Sequence, residues 1–247
     1  MMIKNIFLTV TLVTLVVIMS SCAKNESETT KGDDAAPAVK TVFTGAKGEV
    51  KIITLDPGHF HAALIQKVMF EQMSPTVHVY GPDGSDVQDH LNQIKGFNSR
   101  TENPTTWKEV IYTGDDYLEK MIAEKKGNVV VISGCNKKKT LYIKACVDAG
   151  LNVLADKPMC ITPDDFVLLK EAFVVAKKNG VFIYDIMTER SSITTILQKE
   201  LSINKDVFGD IKTGTVEKPA VISESVHHFF KFVAGNPIKT PDWYFDT

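Results

Sequence analysis

Between Glu49 and Asp185 short β-branched runs alternate with stretches of helical periodicity, and no other feature restricts the possible folds so much. Val50–Leu55 (VKIITL), Thr76–Tyr80 (TVHVY), Asn128–Ser133 (NVVVIS), Asn152–Asp156 (NVLAD) and Val181–Asp185 (VFIYD) read as strands, with a shorter one at Trp107–Tyr112. Asn128–Ser133 is almost wholly apolar, the pattern of a parallel strand buried on both faces. Helices are expected between them. Over Ala62–Met73 the apolar residues Leu64, Ile65, Val68 and Met69 repeat at helical spacing, and Val87–Ile94, Asp115–Lys125 and Thr140–Gly150 read the same way. Thr162, Pro163, Asp164 and Asp165 make a helix start: a capping hydroxyl, a proline whose missing N–H is not needed there, and two carboxylates at the positive end of the dipole. Gly180 ends that helix. Alternation of this kind with short connections specifies an α/β fold, a doubly wound parallel sheet with right-handed crossovers. Such sheets take ligands at the carboxyl ends of their strands.

The body is preceded by a different texture. Lys4 and the apolar run Ile6–Met19 have the form of a signal peptide, the run being shorter than the roughly 17–25 residues of a membrane span. Met19-Ser20-Ser21-Cys22 resembles the lipobox of bacterial lipoproteins, in which the cysteine becomes the lipidated first residue. Residues 1–21 are therefore expected to be removed, Cys22 to carry an acyl anchor, and residues 22–47 to form a polar tether. That implies an envelope location, lipid-anchored and facing the periplasm or the surface, with no other membrane contact.

Lys and Arg number 28 against 30 Asp and Glu, so no overall field would gather nucleic acid, and any partner is selected by a local site. The natural phosphate corner is the first strand-to-helix turn, Asp56-Pro57-Gly58-His59-Phe60-His61. Only Gly58 of a three-glycine dinucleotide fingerprint is present, so the motif alone also fits a plain α/β turn. His59 and His61 stand beside Asp56 without a third or fourth ligand close by in the chain, and no metal is expected. Asp83 follows the second strand where a carboxylate would meet an adenosine ribose, although Gly81-Pro82-Asp83-Gly84 also reads as a simple turn. Lys137, Lys138 and Lys139 read as solvated surface with one member able to reach a phosphate. Lys157, ending the Asn152–Asp156 strand and held against Pro158, lies where a substrate would meet a cofactor.

Asn128–Arg190, with Asp156-Lys157-Pro158 in the position of a Glu-Lys-Pro element, resembles the glucose-fructose oxidoreductase/inositol dehydrogenase family, and the turn DPGHFHAAL, the leader and the later SVHHFFKFVAGNP together resemble a lipoprotein branch of Bacteroides-type bacteria. The resemblance implies a Rossmann domain over residues 48–190 that binds NAD or NADP, and a C-terminal substrate domain, α/β and incomplete, over residues 191–247. It implies hydride transfer at a hydroxyl carbon of a sugar or cyclitol. Lys157 would be the catalytic lysine and Pro158 its backbone partner, with Asp156 replacing the family's glutamate. Pro57, Gly58, His59, Phe60 and His61 would form the pyrophosphate corner, and Asn136 the loop beside the nicotinamide. Association of identical subunits through the C-terminal sheet is also implied.

Three features depart from the pattern. The first is the reduced glycine fingerprint; another is that no Asp-x-x-x-His element follows Asp210, where only His227-His228 occur; and Glu217-Lys218-Pro219 spells the motif again in the presumed second domain, after no crossover helix, as a decoy. The chain reads as cut off within its second domain. Two other functions remain in view: NAD-assisted glycoside cleavage, and a carbohydrate-binding lipoprotein that keeps the fold without the cofactor.

Overall fold

The computed structural model describes residues 43–187, 191–223, 230–233 and 236–245. The leader, Cys22 and His227-His228 lie outside the described residues.

Six parallel strands form the central sheet: β1 (Ile52–Leu55), β2 (Thr76–Gly81), β3 (Lys108–Thr113), β4 (Val129–Ile132), β5 (Asn152–Ala155) and β6 (Ile183–Asp185). Their order is β3-β2-β1-β4-β5-β6, so the chain reverses its direction of winding between β1 and β4. A crevice opens there at the carboxyl edge, where doubly wound sheets bind ligands. Register follows the apolar pattern: Ile53 pairs with His78 on one side and Val130 on the other, and Leu55 pairs with Tyr80 and Ile132.

Side chains alternate across the sheet because successive Cβ atoms point to opposite faces. Ile53, Leu55, Val130, Ile132, Val153 and Ala155 face α3 (Tyr117–Glu124), α4 (Asn136–Asp148) and α5 (Pro163–Asn179), which supply Met121, Ile143, Leu169 and Ala172 to a common core. Ile52, Val77, Val79, Val129 and Val131 pack on the other face with Ala62, Ala63, Val87, Ile94 and Trp107. Each large side chain so buried contributes roughly 1.5–3 kcal/mol. α2 (Ser85–Ser99) is longer than the apolar pattern Val87–Ile94 suggests. α5 begins and ends on the expected residues, Thr162 Oγ1 accepting from the Asp165 amide at 3.1 Å and Gly180 adopting φ 67°.

The helix expected over Ala62–Met73 is a correction. Only α1 (His61–Leu64) forms. Two carbonyls that would continue it are drawn into tertiary bonds: the Gln66 oxygen accepts from Trp107 Nε1 at 2.6 Å and the Lys67 oxygen from Arg100 Nη2 at 2.6 Å. The expected tether also behaves differently at its end. Phe43 packs on the second core and lies 6.2 Å, edge on, from the Phe182 ring.

Beyond β6, α6 (Ile193–Ser202) and α7 (Lys205–Phe208) bury no residue, and Ile193, Ile196, Leu197 and Leu201 stay exposed. The strand texture of Gly209–Glu224 gives no strand among the described residues, and Glu217-Lys218-Pro219 lies in an exposed turn closed by Thr215 and Lys218. An antiparallel hairpin follows, β7 (Phe230–Val233) with β8 (Asn236–Lys239), and then a 3₁₀ turn at Asp242–Phe245. No described helix is long and apolar enough to cross a membrane.

Candidate active site

The crevice is built from three turns at the carboxyl edge. The β1–α1 turn crosses the β4–α4 turn so closely that Gly134 needs to lack a side chain, since a Cβ there would overlap the Asp56 carbonyl oxygen. The Ser133 carbonyl accepts from both the Gly58 and His59 amides, at 2.9 and 2.8 Å. Asp56 turns away from the crevice in a left-handed conformation, φ 47°. Its buried carboxylate accepts from Tyr142 Oη at 2.8 Å, and Tyr142 shares a short hydrogen bond with Tyr117, which accepts from Lys138 Nζ at 3.2 Å. Burial raises the Asp56 pKa, and the Tyr142 hydroxyl and the Lys138 charge oppose that rise.

The β5–α5 turn brings the sequence candidates together. Asp156 is 2% exposed and has four polar neighbours: His59 Nδ1 lies 3.3 Å from Oδ2, His61 Nδ1 lies 3.0 Å from Oδ1, Ser133 Oγ donates to Oδ2 at 3.1 Å, and the Lys157 amide donates to Oδ1 at 2.8 Å. Burial alone would raise its pKa, but the hydrogen bonds from the two histidines outweigh burial and hold the carboxyl far below the usual carboxylate range. His59 is lowered, burial exceeding the pull of Asp156. Asp156, 95 residues along the chain, brings a carboxylate oxygen within 4.8 Å of a ring nitrogen of each histidine.

Lys157 is exposed, its peptide bond to Pro158 is cis, and its ammonium stands 6.0 Å from the centroid of the Tyr244 ring. With Met159, Phe173, Ile183, Tyr184 and Asp185 it lines a cleft of about 350 Å³. Pro57 is buried beneath the turn, Phe60 is 48% exposed at its rim, Asp83 is exposed beyond β2, and Asn136 begins α4.

Lys139 corrects the reading of the lysine run as surface. It is 1% exposed, and its ammonium donates to Asn136 Oδ1 at 3.0 Å and to the Lys157 carbonyl at 3.4 Å. Burial pushes its pKa down to about 8. Its position three residues into α4 turns it inward, which a run of three lysines conceals. Two further residues carry no sequence signal. Trp243 leans on Gly58, 2.7 Å from where a Cβ would stand, and its Nε1 donates to Asp86 at 2.8 Å. Tyr244 stacks on His59 with ring centroids 5.9 Å apart.

Residues 58–185 match the model of the "Oxidoreductase family, NAD-binding Rossmann fold". The chain belongs to this family. It carries the family's NAD-binding Rossmann domain, and residues 197–247 match the model of the "Putative oxidoreductase C terminal domain". A crystal structure of a "putative oxidoreductase" from Parabacteroides merdae is 59% identical, with a TM-score of 0.76 over 83% of this chain and 46% of that one. The chain thus spans less than half the length of that relative. A structure of a "putative oxidoreductase" from Thermotoga maritima is 18% identical over 64% of this chain and 45% of that one, TM-score 0.48. The WlbA dehydrogenase of Chromobacterium violaceum, solved with NADH and UDP-GlcNAcA, is 17% identical over 64% and 41%, TM-score 0.45. No curated protein matches the sequence.

The crevice fits the family's dinucleotide on two counts. Gly58 and Gly134 add no side chain of their own where the two turns meet, and Asp83 presents an exposed carboxylate past β2. The indole of Trp243 fills the space beside Gly58.

Proposed function

We propose that this chain is the cofactor-binding part of an NAD(P)-dependent oxidoreductase that acts at a hydroxyl carbon of a sugar or cyclitol. One observation carries the reading: the Asp156 carboxylate ties the Lys157 backbone to His59 and His61, so the lysine and the β1–α1 turn share one crevice. When bound, the nicotinamide supplies the hydride acceptor. The residues of the chain do the rest. Lys157 donates a hydrogen bond to the reacting oxygen and steadies charge on it as the hydroxyl proton passes to solvent and the C–H hydrogen leaves as hydride. Lys139 holds the Lys157 carbonyl from beneath and fixes the turn that presents it. Pro57, Gly58, Phe60 and Asn136 border the cofactor. Asp83 accepts from ribose hydroxyls, a contact that favours NAD over a 2′-phosphorylated cofactor.

The leader that ends at Cys22 supports a lipid-anchored enzyme of the bacterial envelope, where a tightly held cofactor would be an advantage. The test is turnover of a panel of sugars and cyclitols, followed by NADH absorbance. Lys157→Met is expected to abolish turnover while the protein stays folded, and equal turnover by the variant would remove the lysine from the reaction. A second reading, a carbohydrate-binding lipoprotein without cofactor, is favoured by one feature: Trp243 covers Gly58, and Ser133 already engages the amides of Gly58 and His59. That reading predicts sugar binding unaffected by NADH.

A further inference from the structure

We propose that His59, His61 and Asp156 form a binding site for a divalent transition-metal ion, each residue giving one ligand atom. The three side chains come from two turns 95 residues apart, and their donor atoms all lie within 4.8 Å of one another. Metal–ligand bonds of about 2.0–2.2 Å place neighbouring donors about 2.8–3.6 Å apart, over the range from octahedral to tetrahedral angles. His61 Nδ1 lies 3.0 Å from Asp156 Oδ1 and His59 Nδ1 lies 3.3 Å from Oδ2, spacings within that range, with one imidazole facing each oxygen of the carboxylate.

The surroundings are those of a ligating carboxylate. Asp156 is 2% exposed, and its oxygens are oriented from behind by Ser133 Oγ at 3.1 Å and the Lys157 amide at 2.8 Å, the outer contacts that fix a metal ligand in place. A buried carboxylate needs compensating positive charge. The buried ammonium of Lys139 bonds to Asn136 and to the Lys157 carbonyl, and reaches Asp156 only through its charge. A dication held by the two imidazoles adds to that compensation, and two nitrogens with a carboxylate suit Zn²⁺, Fe²⁺ or Co²⁺. Three protein ligands leave at least one position for water or for an oxygen of a substrate. The site lies at the carboxyl edge of the sheet beside Lys157, so a polyol oxygen is the class of ligand it would take. The site stands on its own geometry and does not depend on dinucleotide binding.

The test uses the purified chain, stripped with a chelator and titrated with Co²⁺ and Zn²⁺, with metal content measured after gel filtration. About one ion per chain and visible absorption bands from Co²⁺ are expected. Asp156→Asn and His61→Ala should lose the ion, and Ser133→Ala should bind it about 10–100-fold more weakly. Thermal unfolding of each variant separates loss of the site from loss of the fold. No stoichiometric ion in the stripped and titrated protein overturns the proposal and leaves a histidine–carboxylate network. So does equal affinity in a folded His61→Ala protein. NADH titration of the same samples keeps the two readings apart: ion binding without NADH binding defeats the oxidoreductase reading alone, and the converse defeats only the metal.

Discussion

Gly134 sits against Asp56 so tightly that the first carbon of any side chain would overlap the Asp56 carbonyl oxygen. The contact joins the turns after β1 and β4, the two sides of the crevice. Gly134→Ala forces these turns apart, and we expect a loss of about 1–3 kcal/mol, the range for overpacking a well-filled site. Urea unfolding should show a lower midpoint with an unchanged slope. An unaltered midpoint would show that the turns yield without cost.

The hydroxyl chain below the crevice predicts an order of effects. Tyr142 is the hydrogen-bond donor to buried Asp56, whereas Tyr117 has Lys138 as a further partner near the surface. Tyr142→Phe should cost about 1–3 kcal/mol, the penalty for leaving a buried acceptor unpaired, and Tyr117→Phe should cost less. The two stability curves decide it, and the reverse order would contradict the chain as described.

Two buried groups oppose each other in acid. Burial pushes Glu109 up to about 7, against the hydrogen bond from Gln66, and pushes His90 down to about 4. For Glu109 the folded state holds its proton more tightly than the unfolded, so this contribution is full below about pH 4.5 and is lost as pH rises to about 7. For His90 the unfolded state binds the proton better, so its contribution is full above about pH 6.5 and is lost as pH falls to about 4. In the overlap the slopes cancel. Glu109→Gln should leave the His90 slope alone, with stability rising from about pH 4 to about pH 6.5. A flat curve for that variant would refute the assignment.

Trp243 occupies the place beside Gly58, where the proposed function puts the pyrophosphate. Trp243→Ala should bind NADH about tenfold more tightly, worth about 1.4 kcal/mol. Weaker binding would mean that the indole is part of the cofactor's wall.

Local signals reached most of the sheet. The strands are short β-branched runs bounded by turns, and α5 carries its own cap, proline and terminal glycine, so neighbours in the chain fix them. α1 failed for a tertiary reason, because Trp107 and Arg100 capture the carbonyls that would extend it, and nothing near Gln66 announces that. The site was legible as separate pieces. The turn Pro57–His61, Lys157 and Asp156 stood out, but Asp156 meets the histidines across the sheet, and periodicity carries no information about such a meeting. Lys139 was hidden within a charged run, and Trp243 and Tyr244 within a segment whose packing depends on distant partners.

NADH fluorescence titration, in parallel with the intact chain and Lys157→Ala, tests the central claim most directly. We predict micromolar binding by both proteins, with turnover of a polyol confined to the one that keeps its lysine. Absence of NADH binding to the folded, intact chain would contradict it.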